Sequence, residues 1–316
     1  MARRSRRRLA ALTLVVGLVA PACQGEEVSS TALPSAETPT TARPEASTTT
    51  STPATTTPPT TSTAPPSTTT EPTTDTTVEF ADLPGADVQV PVGEGPFPTV
   101  VLVHGGGWVV GSIESMGSLA DYLTSAGFLT VNTTYQLSLR EPGFPGAVED
   151  ISCAVTYAAS HPLSSGRVTV VGHSAGAHIG SLVALDAAPY DDECPGGADL
   201  GTPDAFVGLA GPYDIARLGP LMVPFFGVDA ESDPALWDAG NPFTLLDRNP
   251  DLSVLLIHGD SDQVVPFDFS SDFADDLEAA GVPVRLEILA GVDHPGARSP
   301  NIVGELIADF IQVTNA

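Results

Sequence analysis

The chain has 316 residues and a formal net charge of −27, and all 12 of its strongly basic residues are arginine. Such an acidic surface repels nucleic acid and anionic membranes, and it favours neutral or cationic substrates at long range. The sequence contains no basic patch, no Cys/His ligand cluster and no phosphate-binding glycine loop, so we expect no nucleic-acid partner, no metal and no nucleotide cofactor.

The first 22 residues are typical of a signal peptide. Five arginines precede the apolar run Leu9–Ala20, which is too short to span a bilayer comfortably. Cys23 follows small residues as in the bacterial lipobox, although Ala20 stands where that motif usually has leucine. We expect export, with Cys23 lipidated and the protein anchored at the outer face of the cell membrane. The alternative is an ordinary signal peptide that is cleaved nearby to release a secreted protein.

Residues 23–77 are predicted to form a tether that begins at the lipidated cysteine. Beyond Cys23 this stretch consists almost entirely of Thr, Pro, Ser, Ala and Glu, and it carries too little apolar surface to offset the entropy of ordering it. Residues 78–316 have a length that suits a single catalytic domain. The two remaining cysteines, Cys153 and Cys194, form an even pair in an exported chain, which predicts a disulfide.

Short apolar strands alternate with helical segments along residues 78–316. This order predicts an α/β fold with a mostly parallel sheet that is covered by helices on both faces. The predicted strands are Pro98–Val103, Phe128–Asn132, a strand ending at Val171, Phe206–Leu209, Ser253–Ile257 and Val284–Leu289. The predicted helices are Ser112–Ala126, Ala147–Ala159, Ala175–Ala187, Phe269–Ala280 and Ile302–Val313.

Residues that can carry chemistry follow four of these strands. The sequence His104–Trp108 contains three consecutive glycines, whose backbone N–H groups could hold a developing oxyanion. Gly172–Gly176 reads Gly-His-Ser-Ala-Gly, a sharp strand-to-helix turn that lifts a serine above the sheet edge. The sequence His258–Pro266 supplies aspartates and Gly291–His294 supplies a histidine, so that the chain order is Ser, Asp, His.

Taken together, these segments resemble the α/β-hydrolase fold over about residues 86–314. The nearest branch is that of bacterial carboxylesterases with a His-Gly-Gly-Gly-Trp oxyanion loop, which includes hormone-sensitive-lipase-like and carbohydrate-esterase-like members. The resemblance implies a Ser-His-Asp triad in which a histidine activates Ser174 and a carboxylate orients that histidine. It also implies that Gly106 and Gly107 form the oxyanion hole with Ala175, the residue after the nucleophile.

His294 is the expected base, because the other histidines have better explanations. His104, His173 and His258 lie in strand-end motifs where the family uses them structurally, and His178 is expected to pack in the helix after Ser174. The family pattern His-Gly-x-x-Asp assigns the acid to Asp262. Asp260, at the same turn, and Asp293, beside the base, remain open as alternatives.

The pocket residues are expected near the oxyanion loop and in the insertion at about 212–250. Trp108, Tyr135, Phe225 and Trp237 are the candidates to line an acyl or sugar site. Packing within the insertion explains its aromatic residues equally well. Few residues precede the glycine-loop strand, so we expect no N-terminal cap, and any lid would come from the insertion.

We therefore expect an exported serine esterase that hydrolyses small carboxylic esters, such as acetylated carbohydrates, through an acyl-enzyme. Two other readings stay open. The same triad could serve an arylformamidase, another amidase or a peptidase, and the fold could serve a non-catalytic, tethered surface-binding lipoprotein. The sequence leaves the natural ester and the oligomeric state undecided.

Overall fold

The computed structural model describes residues 83–186, 194 and 202–314, all of which belong to the unit Val78–Ala316. The predicted signal peptide, Cys23 and the tether lie outside the described residues.

A seven-stranded sheet with the order β1-β3-β2-β4-β5-β6-β7 forms the centre of this unit. Strand β1 runs antiparallel to β3, and every other neighbouring pair is parallel. This architecture confirms the predicted mostly parallel α/β sheet. The strands are β1 (Asp87–Gln89), β2 (Phe97–Val103), β3 (Leu129–Thr133), β4 (Ser164–His173), β5 (Ala205–Leu209), β6 (Ser253–Gly259) and β7 (Val284–Leu289).

Helices cover the sheet and fill the insertion between β5 and β6. The long helices agree with the predicted ranges to within two residues at each end. The helices are α1 (Glu114–Ser125), α2 (Gly146–Ser160), α3 (Ala175–Leu185), α4 (Ile215–Leu218), α5 (Val223–Phe226), α6 (Pro234–Ala239), α7 (Asp268–Ala280) and α8 (Pro300–Thr314), with short 3-10 turns at Gly219–Met222, Pro242–Thr244 and Gly296–Arg298.

The sheet separates two hydrophobic cores, as the alternation of strand side chains requires. Along β2, Val101 and Val103 join a core with α2, α3 and α7. Val100 and Leu102, on the opposite face, join a second core with α1 and α8. The sheet is therefore buried on both faces, and its carboxyl edge is the place where loops can build a site.

Two details differ from the sequence expectations. Helix α3 ends at Leu185 and not at Ala187, because Asp186 already adopts an extended backbone with φ −153° and ψ 84°. Strand β1 was not expected, since three residues with a single apolar side chain give no periodic signal.

Cys153 and Cys194 form the predicted disulfide, which joins α2 to the segment that follows α3. The bridge closes a chain separation of 41 residues that includes β4 and the Gly-His-Ser-Ala-Gly turn. Within the described residues, none of the helices is both long enough and apolar enough to cross a membrane.

Candidate active site

Ser174 lies on a sharp turn between β4 and α3. Its backbone has φ 55° and ψ −121°, a conformation that costs free energy in any residue with a side chain. The turn is held by a hydrogen bond from the Ser174 N–H to the Leu209 carbonyl at 2.8 Å. Gly176 permits the turn, because a Cβ there would collide with the carbonyl oxygens of Val103 and His104.

The structure brings Ser174, His294 and Asp262 into one chain of hydrogen bonds. The Ser174 hydroxyl lies 2.9 Å from His294 Nε2, and His294 Nδ1 lies 2.6 Å from Asp262 Oδ2. A carboxylate can only accept at Nδ1, so Nδ1 carries the proton and Nε2 is free to accept from the serine. These are the geometric relations that nucleophilic catalysis by a serine requires.

The environment of Asp262 keeps this carboxylate ionised. Its side chain is fully shielded from solvent, and burial alone would raise its pKa. Hydrogen bonds from His258 and His294, and from the backbone N–H of Val265, outweigh burial and hold the pKa of Asp262 below its ordinary value. A permanent negative charge at this position stabilises a positive charge on His294.

His258 is a second histidine in contact with the carboxylate of Asp262. Its Nε2 lies 3.2 Å from Asp262 Oδ2 and 2.8 Å from the Val265 carbonyl, and both partners are acceptors. Its Nδ1 lies 2.7 Å from the Ser270 hydroxyl. His258 thereby links the acid to the first turn of α7, in agreement with the structural role expected of it.

His173 contacts the backbone of the candidate base. Its Nε2 lies 3.0 Å from the His294 carbonyl oxygen, and the two rings lie 4.8 Å apart between centroids. Burial lowers the pKa of His173 to about 3, so the ring is neutral near neutral pH and donates to that carbonyl. The serine and the histidine before it therefore hold two different parts of His294.

The two alternative acids have other partners. Asp260 accepts a hydrogen bond from the Gly291 N–H at 2.7 Å, which joins the loops after β6 and β7. Asp293 is exposed and accepts from the Gly296 N–H at 2.9 Å. Within the described residues, neither carboxylate is hydrogen-bonded to His294.

The glycine loop lies beside Ser174. Gly106 has φ 130° and Gly107 has φ 59°, values that favour glycine. Among the described residues, no hydrogen bond uses the N–H of either glycine as its donor, and Ala175 begins α3, where the first N–H groups lack helical acceptors. The geometry therefore leaves donors of the oxyanion-hole type near the serine.

A cavity of about 360 Å³ opens at this edge of the sheet. Its walls come from the glycine loop, the start of α1, the nucleophile turn and the loops after β6 and β7. The lining residues are Gly105, Gly106, Gly107, Gly111, Ser115, His173, Ser174, Val264, His294 and Arg298.

The four side chains expected in the pocket do not line this cavity, which corrects the prediction. Phe225 is 1% exposed and packs against Trp108 at 5.9 Å between ring centroids. Trp237 stacks on Phe226 at 4.7 Å. Tyr135 is buried, stacks on His104 at 4.5 Å and donates to the His104 carbonyl. These four aromatic side chains belong to one hydrophobic core, which explains why they are buried and do not line the cavity.

Trp108 and His178 form a second polar network beneath the glycine loop. The indole N–H of Trp108 donates to His178 Nδ1 at 3.2 Å, and His178 Nε2 donates to the Gly240 carbonyl at 3.0 Å. Burial lowers the pKa of His178 to about 4, so this ring stays neutral. His178 packs as expected, and it also connects the glycine loop to the insertion.

Sequence reasoning missed Arg298 as a cavity residue. It lies four positions after His294, in the 3-10 turn Gly296–Arg298, and this proximity to the candidate base is the signal that could have identified it. Within the described part of the chain, no group of three or more His, Cys, Asp or Glu side chains is arranged to hold a metal ion.

Comparisons with known proteins agree with this geometry. The chain is 28% identical over 200 residues to the esterase LipC of Mycobacterium tuberculosis, a match that covers 58% of this chain and 49% of LipC. It thus spans about half the length of that curated relative.

Two solved structures share the fold. A truncated carbohydrate esterase from gut microbiota has a TM-score of 0.61 and 21% identity, over 72% of this chain and 90% of that one. The propionate-bound esterase Est2 of Thermogutta terrifontis has a TM-score of 0.56 and 19% identity, over 74% of this chain and 94% of that one.

The family model BD-FAE matches residues 86–277, a range that contains the glycine loop, Ser174 and Asp262. Together with the α/β-hydrolase architecture, this match over more than half of the sequence identifies the chain as a member of the BD-FAE family.

Proposed function

We propose that the protein is a serine esterase that hydrolyses small carboxylic esters through an acyl-enzyme intermediate. The observation that carries the proposal is the hydrogen-bonded chain from Ser174 Oγ to His294 Nε2 at 2.9 Å and from His294 Nδ1 to Asp262 at 2.6 Å. The esterase names of its relatives give the reaction class independently.

In the first half of the reaction, Ser174 Oγ attacks the ester carbonyl carbon while its proton moves to His294 Nε2. The resulting oxyanion accepts hydrogen bonds from the N–H groups of Gly106, Gly107 and Ala175. The tetrahedral intermediate then expels the alcohol, which takes the proton from His294. Asp262 remains ionised throughout and stabilises the imidazolium.

In the second half, water attacks the acyl-enzyme carbonyl and gives a proton to His294. The second tetrahedral intermediate collapses, the Ser174 oxygen takes that proton back and the carboxylic acid leaves. No metal or organic cofactor takes part in these steps.

The walls of the cavity favour short acyl groups. The described insertion residues do not line the cavity, so its apolar surface is small and a long lipid chain would find little to bury against. An open mouth also accepts a bulky alcohol such as a sugar. Acetylated carbohydrates are therefore the first natural substrates to test, a choice that the carbohydrate esterase of the same fold also motivates.

The test is hydrolysis of p-nitrophenyl esters from acetate to palmitate by the wild-type protein and by Ser174→Ala. We expect the highest kcat/KM at acetate or butyrate and a loss of roughly 10⁴–10⁶-fold in kcat in the variant. Ser181→Ala is the matched control. Ser181 lies on α3, the helix that follows Ser174, and its buried hydroxyl donates to the carbonyl of His178 in the same helix at 2.7 Å.

The other outcomes assign other functions. A maximum at long chains would indicate a lipase. Hydrolysis of p-nitroanilides with the same acyl groups in preference to the esters would indicate an amidase or a peptidase. Turnover that survives Ser174→Ala would contradict the proposed role of Ser174. No turnover at all would contradict the proposed esterase and favour a binding module.

We also propose that the protein is exported and anchored through a lipid on Cys23. A disulfide between Cys153 and Cys194 supports export, since such bridges persist in oxidising compartments. Fractionation of cells that express the wild-type chain or Cys23→Ser tests the anchor. The variant should leave the membrane fraction, and unchanged membrane association would refute lipidation at Cys23.

A further inference from the structure

Arg298 is a positive charge at the wall of the cavity that contains Ser174 and His294. The protein is strongly acidic, with a formal net charge of −27. Three of its other described arginines form ion pairs with carboxylates: Arg167, Arg217 and Arg285. Among the described residues, Arg140, Arg248 and Arg298 form no ion pair, and of these three arginines Arg298 is the one that lines the cavity.

The hydrogen bonds of Arg298 leave most of its donors unused. A guanidinium has five N–H groups, and within the described residues the recorded hydrogen bond of this side chain is the one from Nη1 to the Ser115 carbonyl. That bond crosses from the loop that carries His294 to the first turn of α1. It fixes the guanidinium at the cavity wall with donors left over for a ligand.

The backbone near Arg298 is also fixed relative to the base. The N–H of Ala297 donates to the Asp293 carbonyl at 3.2 Å, and the N–H of Arg298 donates to the Pro295 carbonyl at 3.2 Å. These bonds join Arg298 to His294 through a short, closed turn. The positive charge is therefore held at a constant place relative to the reacting atoms.

Among the described residues, no carboxylate forms an ion pair with Arg298 at a distance of 4 Å or less. Asp293, in the same loop, accepts from the Gly296 N–H, and Glu114, beside Ser115, is exposed on α1. Neither forms an ion pair with Arg298 among the described residues. Planar guanidinium groups bind carboxylates through paired, charge-assisted hydrogen bonds.

We infer that Arg298 is a specificity-determining residue that binds a carboxylate on the ester substrate, so that the preferred esters are anionic. The class includes half-esters of dicarboxylic acids, with the charge on the acyl side, and esters of carboxylated alcohols such as uronic acids, with the charge on the alcohol side. This inference rests on the proposed esterase function. The acidic protein repels anions at long range, whereas Arg298 acts at contact distance inside the cavity.

The experiment compares charged and neutral members of matched ester pairs. On the acyl side the pair is p-nitrophenyl hemisuccinate and its methyl ester. On the alcohol side the pair is para-acetoxybenzoate and methyl para-acetoxybenzoate. The proteins are the wild type, Arg298→Gln, Arg298→Lys and Arg285→Gln, the last of which changes the net charge equally at an arginine outside the cavity.

We expect Arg298→Gln to lower the ratio of kcat/KM for the charged ester to that for the neutral ester by roughly 10–100-fold, in at least one pair. The pair that responds identifies the side of the ester bond on which the charge lies. Arg298→Lys should restore part of the ratio, Arg285→Gln should leave it unchanged, and higher ionic strength should reduce it in the wild type.

Two results would overturn the inference. One is an equal loss for both members of each pair in Arg298→Gln, which would make Arg298 a structural residue, and the other is no change in either member. Should the wild type hydrolyse p-nitrophenyl acetate but neither member of either pair, the proposed function stands and the inference fails. Should it hydrolyse no ester at all, the proposed function fails, and calorimetric binding of p-nitrophenyl hemisuccinate and of para-acetoxybenzoate to Ser174→Ala, with and without Arg298→Gln, still decides the question. Binding of either compound that Arg298→Gln abolishes supports the carboxylate site, and the absence of binding of both refutes it.

Discussion

Two histidine networks meet near the nucleophile turn, and their difference shows what makes a buried histidine reactive. His294 is 12% exposed in its side chain, faces the cavity, and has the carboxylate of Asp262 at Nδ1. His178, one helical turn after Ser174, is fully buried and bonds only to the neutral groups of Trp108 and Gly240. Both rings have two partners, yet only the first network contains a charge.

The charge decides the chemistry. Near Asp262, the imidazolium form of His294 is stabilised at the moment when it takes the proton of Ser174. Around His178, protonation would place an uncompensated charge in an apolar core, so burial lowers the pKa of this ring to about 4. In the mechanism that we propose, the first network moves a proton, whereas the second keeps a hydrogen-bond pattern fixed.

The largest effect is expected from removing the charge of the first network. Asp262→Asn keeps the size of the side chain, but it removes the negative charge and no longer fixes the tautomer of His294. We expect kcat for p-nitrophenyl acetate to fall by about 10⁴-fold. Asp260→Asn and Asp293→Asn are the matched controls and should stay within about threefold, since both carboxylates bond to backbone N–H groups elsewhere. A larger loss in either control would assign the acid to that residue.

The next effect separates packing from binding. Phe225→Ala should lower the free energy of unfolding by about 3–5 kcal/mol, because it empties a fully buried site. The preference among acyl chain lengths should not change, since Phe225 lies outside the cavity.

Val264→Ala should change substrate binding and leave the stability nearly unchanged. This side chain is 54% exposed and lines the cavity, so we expect a changed KM and a free energy of unfolding within about 0.5 kcal/mol of the wild type. Denaturant unfolding and ester kinetics on both variants measure the two effects. A shifted chain-length preference in Phe225→Ala would show that Phe225 contacts the substrate and belongs to the pocket.

The smallest effect tests the neutrality of the second network through pH. Burial lowers the pKa of His178 to about 4 and that of His173 to about 3, whereas an unfolded histidine titrates near about 6.5. The unfolded chain therefore binds these protons first, and stability falls as the pH drops below about 6.5. Each ring should contribute a loss of about 2 kcal/mol between about pH 6.5 and pH 5.

His178→Gln keeps a donor and an acceptor but cannot titrate in this range. The variant should lose the contribution of one ring, about 2 kcal/mol, from the change in the free energy of unfolding between about pH 6.5 and pH 5. Asp262 does not interfere, because its lowered pKa removes stability only at pH values below the ordinary range of a carboxyl group. An unchanged pH dependence in the variant would mean that His178 takes up its proton equally well in the folded and the unfolded protein, which would contradict the lowered pKa.

The sequence predicted the site where the chemistry itself dictates the pattern. Ser174, Asp262 and His294 each follow a strand, and the carboxyl ends of parallel strands converge at one edge, so motif order predicted that these loops meet. The choice of Asp262 over Asp260 and Asp293 came from the family resemblance and not from motif order. Phe225 and Trp237 were ambiguous, because the same hydrophobicity serves a pocket wall and a core. Arg298 carried no motif, and the role that we propose for it depends on a contact with Ser115, which is remote along the chain.

The paired contacts of His173 and Ser174 with His294 have a consequence for an enzyme built in this way. The candidate base follows β7, one of the two edge strands of the sheet, in which no residue is fully buried. One residue of the turn holds the imidazole of His294 and its neighbour holds the backbone carbonyl. The nucleophile turn thus contacts His294 at two separate atoms, so the position of the imidazole relative to Ser174 depends on this turn as well as on the edge strand that precedes the loop.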